Sequence, residues 1–329
     1  MKVAIIGTTA WGTTLGIMLA RRGIDVALWA RTREEAERLE RARENTARLP
    51  GIPFPKKLTP TSSIEETLKG SSLVILAVPS QQMRQNVRLV KGHIDQSTPI
   101  LSAAKGLEVD TAKRMSQVIA EELSPEYRSN ICVLSGPNLS KEIAQGLPAS
   151  TVIASEDARL AERVQGIMNS PSFQVSTSDD VVGVELGGAL KNIIALGAGM
   201  VDGLGYGNNA KATYMARGLT EITRLGIALG ASPLTFIGLA CLGDLLTTCS
   251  SPLSRNHTLG EGLARGRSMG EVMASMGSVV EGVTTTPAAL KLARELGVEM
   301  PITERIYRVL FEGLNPAQAM AELIGGQGV

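Results

Sequence analysis

The chain carries no surplus of charge: 33 Lys and Arg stand against 32 Asp and Glu over 329 residues. No broad field of one sign is available to hold a nucleic-acid backbone or an anionic membrane, so a small-molecule partner is favoured and nucleic acid is not. Cysteine is scarce and odd in number. Cys132, Cys241 and Cys249 lie far apart without a C-x-x-C pair, and only His93 and His257 could join them as metal ligands. A disulfide framework and a metal site are therefore not expected, and a reducing, cytoplasmic location fits. No run of about eighteen uninterrupted apolar residues occurs, which predicts no membrane span. The apolar stretch after Lys2 is broken by Gly7, Thr8, Thr9 and Gly12 and closed by Arg21-Arg22, so it reads as a strand and a helix rather than a signal peptide. Internal repeats, low-complexity stretches and a composition-biased linker are also missing.

What is present points to two domains, since 329 residues allow two cores of ordinary size. Glycine is frequent, at 35 residues, which suits close backbone approaches. Through the first half, short apolar runs at 3–6, 26–29, 73–78, 100–103, 131–134 and 151–154 alternate with helical patterns. This predicts βαβ units and a mostly parallel sheet, with Gly7, Arg31, Pro79, Lys105 and Gly136 just past the strand ends where such sheets bind ligands. After about residue 180 the periodicity is helical. Met215, Leu219, Ile222, Gly226 and Leu229 share one face. Ser232-Pro233, Thr286-Pro287 and Asn315-Pro316 read as helix starts, and Gly297, Gly313 and Gly325 as helix ends. The expected architecture is an α/β Rossmann-like N-terminal domain over 1–181, followed by an all-α C-terminal domain over 182–329. A rigid helix near 180–196 is expected to connect them.

Directly after the first strand stands Gly7-Thr8-Thr9-Ala10-Trp11-Gly12, a G-x-G-x-x-G pattern that keeps the first and third glycines. The strand-turn-helix order suits a dinucleotide pyrophosphate at a helix N-terminus. Thr9 takes the place of the middle glycine, and its β-branched side chain is expected to crowd the pyrophosphate and weaken binding. A tight turn in an ordinary α/β protein is the plainer alternative. At the end of the second strand, where an acid would hold the ribose of NAD, the residues are Arg31-Thr32-Arg33. Arg31, with Arg33 beside it, can pair with a 2′-phosphate, which favours NADP slightly over NAD. Two solvated charges opening a surface helix would look the same.

Hydride transfer to a ketone needs a proton donor and charges that hold the substrate. Lys105 follows a strand and so stands at the carboxyl edge of the sheet, although by itself it also fits a surface lysine. Lys191 lies one turn from Gly187 and Gly188 in an otherwise apolar segment, where partial desolvation would lower its pKa towards neutrality. A snorkelling lysine on a helix packed through its glycines is the alternative. Asp244 sits amid apolar neighbours and needs a partner, for which Lys191 is the candidate, unless it is a helix cap. Ser254-Arg255-Asn256 groups a hydroxyl, a guanidinium and an amide suited to a phosphate, though plain turns hold such triplets too. Glu281, in Val279-Val280-Glu281-Gly282, is a further acid or a solvated helix flank. His257 has no companion for a triad and receives no catalytic role.

Ala104-Lys105-Gly106-Leu107-Glu108, Ser135-Gly136-Pro137-Asn138, Glu185 to Asn192, Gly243-Asp244-Leu245, Ser254-Arg255-Asn256 and Val280-Glu281-Gly282, taken in this order, resemble the bacterial NAD(P)-dependent glycerol-3-phosphate dehydrogenase family over essentially the whole chain. The resemblance implies a Rossmann domain followed by a helical domain, and interconversion of dihydroxyacetone phosphate and sn-glycerol 3-phosphate that feeds phospholipid synthesis. It implies Lys191 as the proton donor or acceptor, Lys105 touching substrate and cofactor, and Asp244 ordering the site. Substrate contacts would fall on Gly136, Asn138, Asn192, Thr248, Ser254, Arg255 and Asn256 as well. Cofactor contacts would fall on Gly7, Ala10, Trp11, Gly12, Arg31, Lys105, Ser140, Arg255, Val279 and Glu281. A homodimer is also implied. Thr9 and Asn138 depart from the family pattern, the latter where many members carry Ser or Thr. Two other readings stand beside it: a β-hydroxyacid or phosphogluconate-type dehydrogenase, and a dinucleotide sensor. Lys105, Lys191, Asp244 and Arg255 together argue against a sensor, which needs no proton donor.

Overall fold

Residues along the first strand, β1 (Lys2–Ile6), alternate between two cores: Val3 and Ile5 join one apolar cluster, Ala4 and Ile6 the other. A strand buried on both faces can sit only inside a sheet covered by helices on each side. The computed structural model, which describes residues 1–277 and 279–325, shows that sheet. Its eight strands are β1, β2 (Asp25–Trp29), β3 (Leu58–Thr61), β4 (Leu73–Leu76), β5 (Ile100–Ser102), β6 (Ile131–Ser135), β7 (Ala149–Ala154) and β8 (Phe173–Ser178), in the order β3-β2-β1-β4-β5-β6-β7-β8. The pairings of β1 with β2 and β4, β2 with β3, β4 with β5, β5 with β6 and β7 with β8 are parallel. Strand order reverses between β1 and β4, the crevice where open parallel sheets take ligands.

The chain divides into two compact units. The first comprises Met1–Ala104, Met115–Leu134 and Asn138–Val181; the second comprises Lys105–Arg114, Ser135–Pro137 and Val182–Val329. Helices α1 (Ala10–Arg21), α2 (Arg33–Ala42), α3 (Ile64–Leu68), α4 (Met83–Val90), α5 (Met115–Glu122), α6 (Ser140–Gln145) and α7 (Ala158–Met168) belong to the first. The remaining helices are α8 (Val181–Gly203), α9 (Gly207–Ala228), α10 (Pro233–Phe236), α11 (Asp244–Ser250), α12 (Arg255–Ala264), α13 (Met269–Met276), α14 (Glu281–Leu296), α15 (Pro301–Phe311) and α16 (Pro316–Ile324). All of them build the second unit, save the first residue of α8.

Helix α8 explains the second unit's core. Leu186, Ala189, Leu190, Ile193, Ile194, Leu196 and Val201 are all buried, so the helix is apolar around its circumference and other helices enclose it. It is long and apolar enough to cross a membrane, yet 83% of its most apolar stretch is buried inside the protein, as a core helix requires. The segment Pro233–Ser250 passes the same test of length and hydropathy and is 39% buried. It is not one straight helix, because a π-type turn at Leu239–Gly243 separates α10 from α11.

Three details differ from the sequence reading. Strands β3 and β8 carry no apolar run: β3 contains Pro60, and β8 alternates Phe173 and Val175 with polar residues. Both are edge strands, where a proline and a half-polar pattern are tolerated. Ser232 and Asn315 do precede helices that start with proline, and Gly297 ends α14 in the left-handed conformation, but Pro287 lies inside α14 rather than at its start. The helix begins at Glu281, because its first turn is fixed by a bond from the Gly282 N–H to Asn256 Oδ1 (2.9 Å). Gly325 closes α16 with an ordinary right-handed backbone.

Candidate active site

Two lysines of the second unit meet at one carboxylate. Lys191 Nζ donates to Asp244 Oδ1 (2.9 Å) and to Thr248 Oγ1 (2.5 Å), and Lys105 Nζ donates to Asp244 Oδ2 (2.7 Å) and to the Gly136 carbonyl (2.8 Å). The Thr248 hydroxyl in turn donates to Asp244 Oδ1 at 3.2 Å. Asp244 and Thr248 are one turn apart on α11, so the helix period puts both on one face. Asp244 is the first residue of α11 and its side chain does not cap that helix; the carboxylate is spent on the ammonium groups. Side-chain exposure is 3% for Asp244, 7% for Lys191 and 16% for Lys105. Buried charges at this depth persist only when paired, and the cluster keeps a net charge of one positive unit. Burial pushes the Lys105 ammonium down to about 8; the Asp244 carboxylate works against the fall and the nearby Lys191 charge adds to it.

The glycines before Lys191 let other parts of the second unit approach α8. A Cβ on Gly188 would stand 2.4 Å from Ser135 Oγ and 3.6 Å from Lys105 Cγ, and one on Gly187 would stand 2.6 Å from Cys241 Cβ. Ser135 Oγ donates to the Ala240 carbonyl at 3.0 Å, tying the segment that carries Gly136 to the turn before Asp244. Arg114 and Glu185, paired at 2.5 Å, fasten the segment that carries Lys105 to α8 one turn and a half before Lys191.

Beside this cluster, amides continue the polar network. Asn256 Nδ2 donates to Asn192 Oδ1 (2.8 Å), while Asn256 Oδ1 accepts from the Gly282 N–H (2.9 Å). Ser254, Arg255 and Asn256 form the start of α12 rather than a loop, with Ser254 Oγ accepting from the His257 N–H at 3.3 Å as the cap. Arg255 Nη1 donates to the Val279 carbonyl (2.7 Å), and Glu281 opens α14 two residues on. His257 is bonded to Asp202 at 2.6 Å, and Asp202 also takes Lys211 at 2.5 Å.

The glycine loop lies in the first unit. Gly7 has φ +113°, and a Cβ there would meet the Ala77 carbonyl oxygen at 2.8 Å; a Cβ on Gly12 would meet the Gly7 carbonyl oxygen at 2.2 Å. Only glycine fits either position. Thr9 is the N-cap of α1, and its hydroxyl accepts from the Gly12 N–H (3.0 Å) and donates to the Ala77 carbonyl (2.7 Å). Its hydroxyl thus serves the protein's own backbone. The Thr13 N–H bonds the Thr9 carbonyl, which leaves the N–H groups of Ala10 and Trp11 without a partner among the described residues. The buried indole N–H of Trp11 also lacks one. Two open donors at the positive end of a 12-residue helix, beside a cradle that any Cβ would fill, fit a pyrophosphate. Arg31 is exposed and donates to Gln82 Oε1 (2.8 Å), whereas Arg33 pairs with Glu37. Asn138 donates to Thr151 Oγ1 (3.0 Å), and the Ser140 carbonyl accepts from Thr14 Oγ1 (3.1 Å).

Sequence reasoning did not find the Arg114–Glu185 pair, although Glu185 in an apolar segment was a signal for it. Nor did it find the contact of Glu35 with Thr8, which no local pattern announces.

Comparison with known proteins identifies the family. Residues 2–161 match the family profile described as NAD-dependent glycerol-3-phosphate dehydrogenase N-terminus, and residues 180–321 match that of its C-terminus. The chain is 54% identical to the glycerol-3-phosphate dehydrogenase [NAD(P)+] of Dehalococcoides mccartyi, over 99% of this chain and 91% of that one. It is 46% identical to the enzyme of the same name from Moorella thermoacetica, over 98% and 95%. Among solved structures, the glycerol-3-phosphate dehydrogenase from Coxiella burnetii superposes with a TM-score of 0.93 at 35% identity, covering 98% of each chain.

Proposed function

The chain belongs to the NAD(P)-dependent glycerol-3-phosphate dehydrogenase family, and on that premise we propose that it interconverts dihydroxyacetone phosphate and sn-glycerol 3-phosphate with Lys191 as the acid/base residue. The observation that carries the reading is the pair of ammonium groups held on Asp244. When bound, NADH or NADPH supplies the hydride that reduces the carbonyl carbon. Lys191 gives a proton to the carbonyl oxygen as it becomes an alkoxide, and regains one from solvent, so that each turnover consumes one proton. Asp244 and Thr248 fix the direction of the Lys191 ammonium; Lys105, steadied by Gly136, offers a second positive charge to the oxygen. Arg255, braced on Val279 at the start of α12, is assigned to the substrate phosphate, with Ser254, Asn256 and Asn192 ordering its surroundings. Asn138 completes the substrate contacts.

The Gly7 to Gly12 loop, with the open N–H groups of Ala10 and Trp11, is assigned to the cofactor pyrophosphate and Arg31 to its adenosine end. Ser140, Val279 and Glu281 complete the cofactor contacts. Arg31 favours NADPH slightly. The reading includes a cytoplasmic homodimer that supplies glycerol 3-phosphate for phospholipid synthesis. Leu234, Ile237 and Leu246, 73%, 62% and 50% exposed, are apolar surface that a second copy of the chain would cover. Oxidation of NADH and NADPH by the purified protein, each with dihydroxyacetone phosphate, tests the activity, and sedimentation tests the dimer. Absence of turnover with both cofactors would refute the activity.

A further inference from the structure

At the end of β2, where doubly wound folds place an acid for the ribose of NAD, this chain has Arg31. An acid reaches the same place from four residues further on. Glu35, half-buried in the first turn of α2, accepts from Thr8 Oγ1 in the glycine loop (2.6 Å) and from the Arg31 backbone N–H (3.3 Å). Its own N–H is bonded to the Thr32 hydroxyl that caps α2 (3.2 Å), so backbone and side chain are both fixed. The neighbouring acids differ: Glu34 is exposed, and Glu37 is paired with Arg33 on the surface of α2. The Arg31 guanidinium is directed to Gln82 and not to this carboxylate. A negative charge therefore stands between the glycine loop and the end of β2, close to a positive charge that does not neutralise it by direct pairing.

We propose that Glu35 is a specificity-determining residue for the adenosine end of the cofactor: its carboxylate accepts from the ribose hydroxyls of NAD(H) and repels the 2′-phosphate of NADP(H), opposing Arg31. The inference rests on the dinucleotide reading of the first unit and adds to it the residue that sets the choice between the two cofactors. Thr8 is its positioning residue, because the hydroxyl holds the carboxylate at the loop.

The test is direct binding of NADH and of NADPH to the full-length protein, without substrate, followed by calorimetry. Glu35→Gln keeps the size and an acceptor oxygen but removes the charge. It is expected to raise the affinity for NADPH relative to NADH about tenfold, the effect of removing one nearby like charge at a partly solvated site. Thr8→Val, which releases the carboxylate, is expected to move the ratio in the same direction by less, and Glu35→Asp to leave it closer to that of the unmodified protein. Binding of NADH to the unmodified protein checks the dinucleotide reading separately. A role confined to holding the loop would weaken both cofactors together. That result, or a ratio within about twofold of the original in both Glu35→Gln and Thr8→Val, would overturn the proposal.

Discussion

Lys105 and Lys191 are held on opposite oxygens of one carboxylate, that of Asp244, although 86 residues of chain separate them. Each ammonium has three N–H donors and uses two of them within the second unit. The third on each has no partner among the described residues, which is what a group meant to meet a substrate oxygen requires.

Lys191→Ala is expected to lower turnover by about 10² to 10⁴, the usual contribution of one positioned proton donor, while leaving NADH binding in place. Steady-state kinetics and a cofactor titration on the same preparation separate the two effects. Near-normal turnover would remove Lys191 from the chemistry.

Asp244→Ala should be costlier to the fold than either lysine change, because it strands two buried ammonium groups. Breaking a buried pair by removing one partner costs about 3–5 kcal/mol, which calorimetric melting would register. The change also removes the charge that supports the Lys105 ammonium, so its pKa should fall below about 8.

Above pH 8 the Lys105 charge is lost, since its folded pKa is about 8 against an ordinary value of 10.5. The KM for dihydroxyacetone phosphate is expected to rise through this range, and Lys105→Met should lack the inflection. Stability moves the other way. Below pH 8 both folded and unfolded chains carry the proton and the cost of burying the charge is fully felt; between about 8 and 10.5 the unfolded chain binds more protons, so this group's contribution to stability rises with pH. A KM independent of pH between 7 and 9 would contradict the assignment.

Thr9→Ala removes an N-cap and a bond to Ala77, with an expected loss of about 1 kcal/mol in urea unfolding. Thr9→Gly should not tighten cofactor binding, because the hydroxyl is already committed to Gly12 and Ala77. Markedly tighter NADH binding by Thr9→Gly would restore the view that the threonine crowds the pyrophosphate.

Gly188→Ala places a methyl group 2.4 Å from Ser135 Oγ, too close to remain. The bond from Ser135 to Ala240 must break or the segment must shift, at about 1–3 kcal/mol. Turnover should fall further than Gly166→Ala, where a Cβ meets open space.

The sequence was most informative where the signal is local. Alternating apolar runs announced six strands, and a lysine and an aspartate each stranded among apolar residues announced their own pairing, because unpaired burial is so unfavourable. It was silent where the determinant is a partner far along the chain. Pro287 looks like a helix start until the Asn256 bond to Gly282 fixes the first turn six residues earlier. The partner of the Thr9 hydroxyl is the distant Ala77 carbonyl, and Glu35 is one acid among several until Thr8 meets it. Edge strands β3 and β8 escaped for a different reason: with one neighbour each, they need no continuous apolar run.

Lys105 and Gly136 come from short segments that fold with residues synthesised much later, the carboxylate partner arriving only at position 244. A nascent chain released at residue 181 would contain every strand of the sheet yet hold Lys105 with no counter-charge. The two halves of this polypeptide are therefore poor units for gene fusion or recombination at a single crossover. An exchange that keeps the whole second unit from one parent has to transfer three separate stretches of coding sequence at once, and two of them carry the lysines and their shared aspartate.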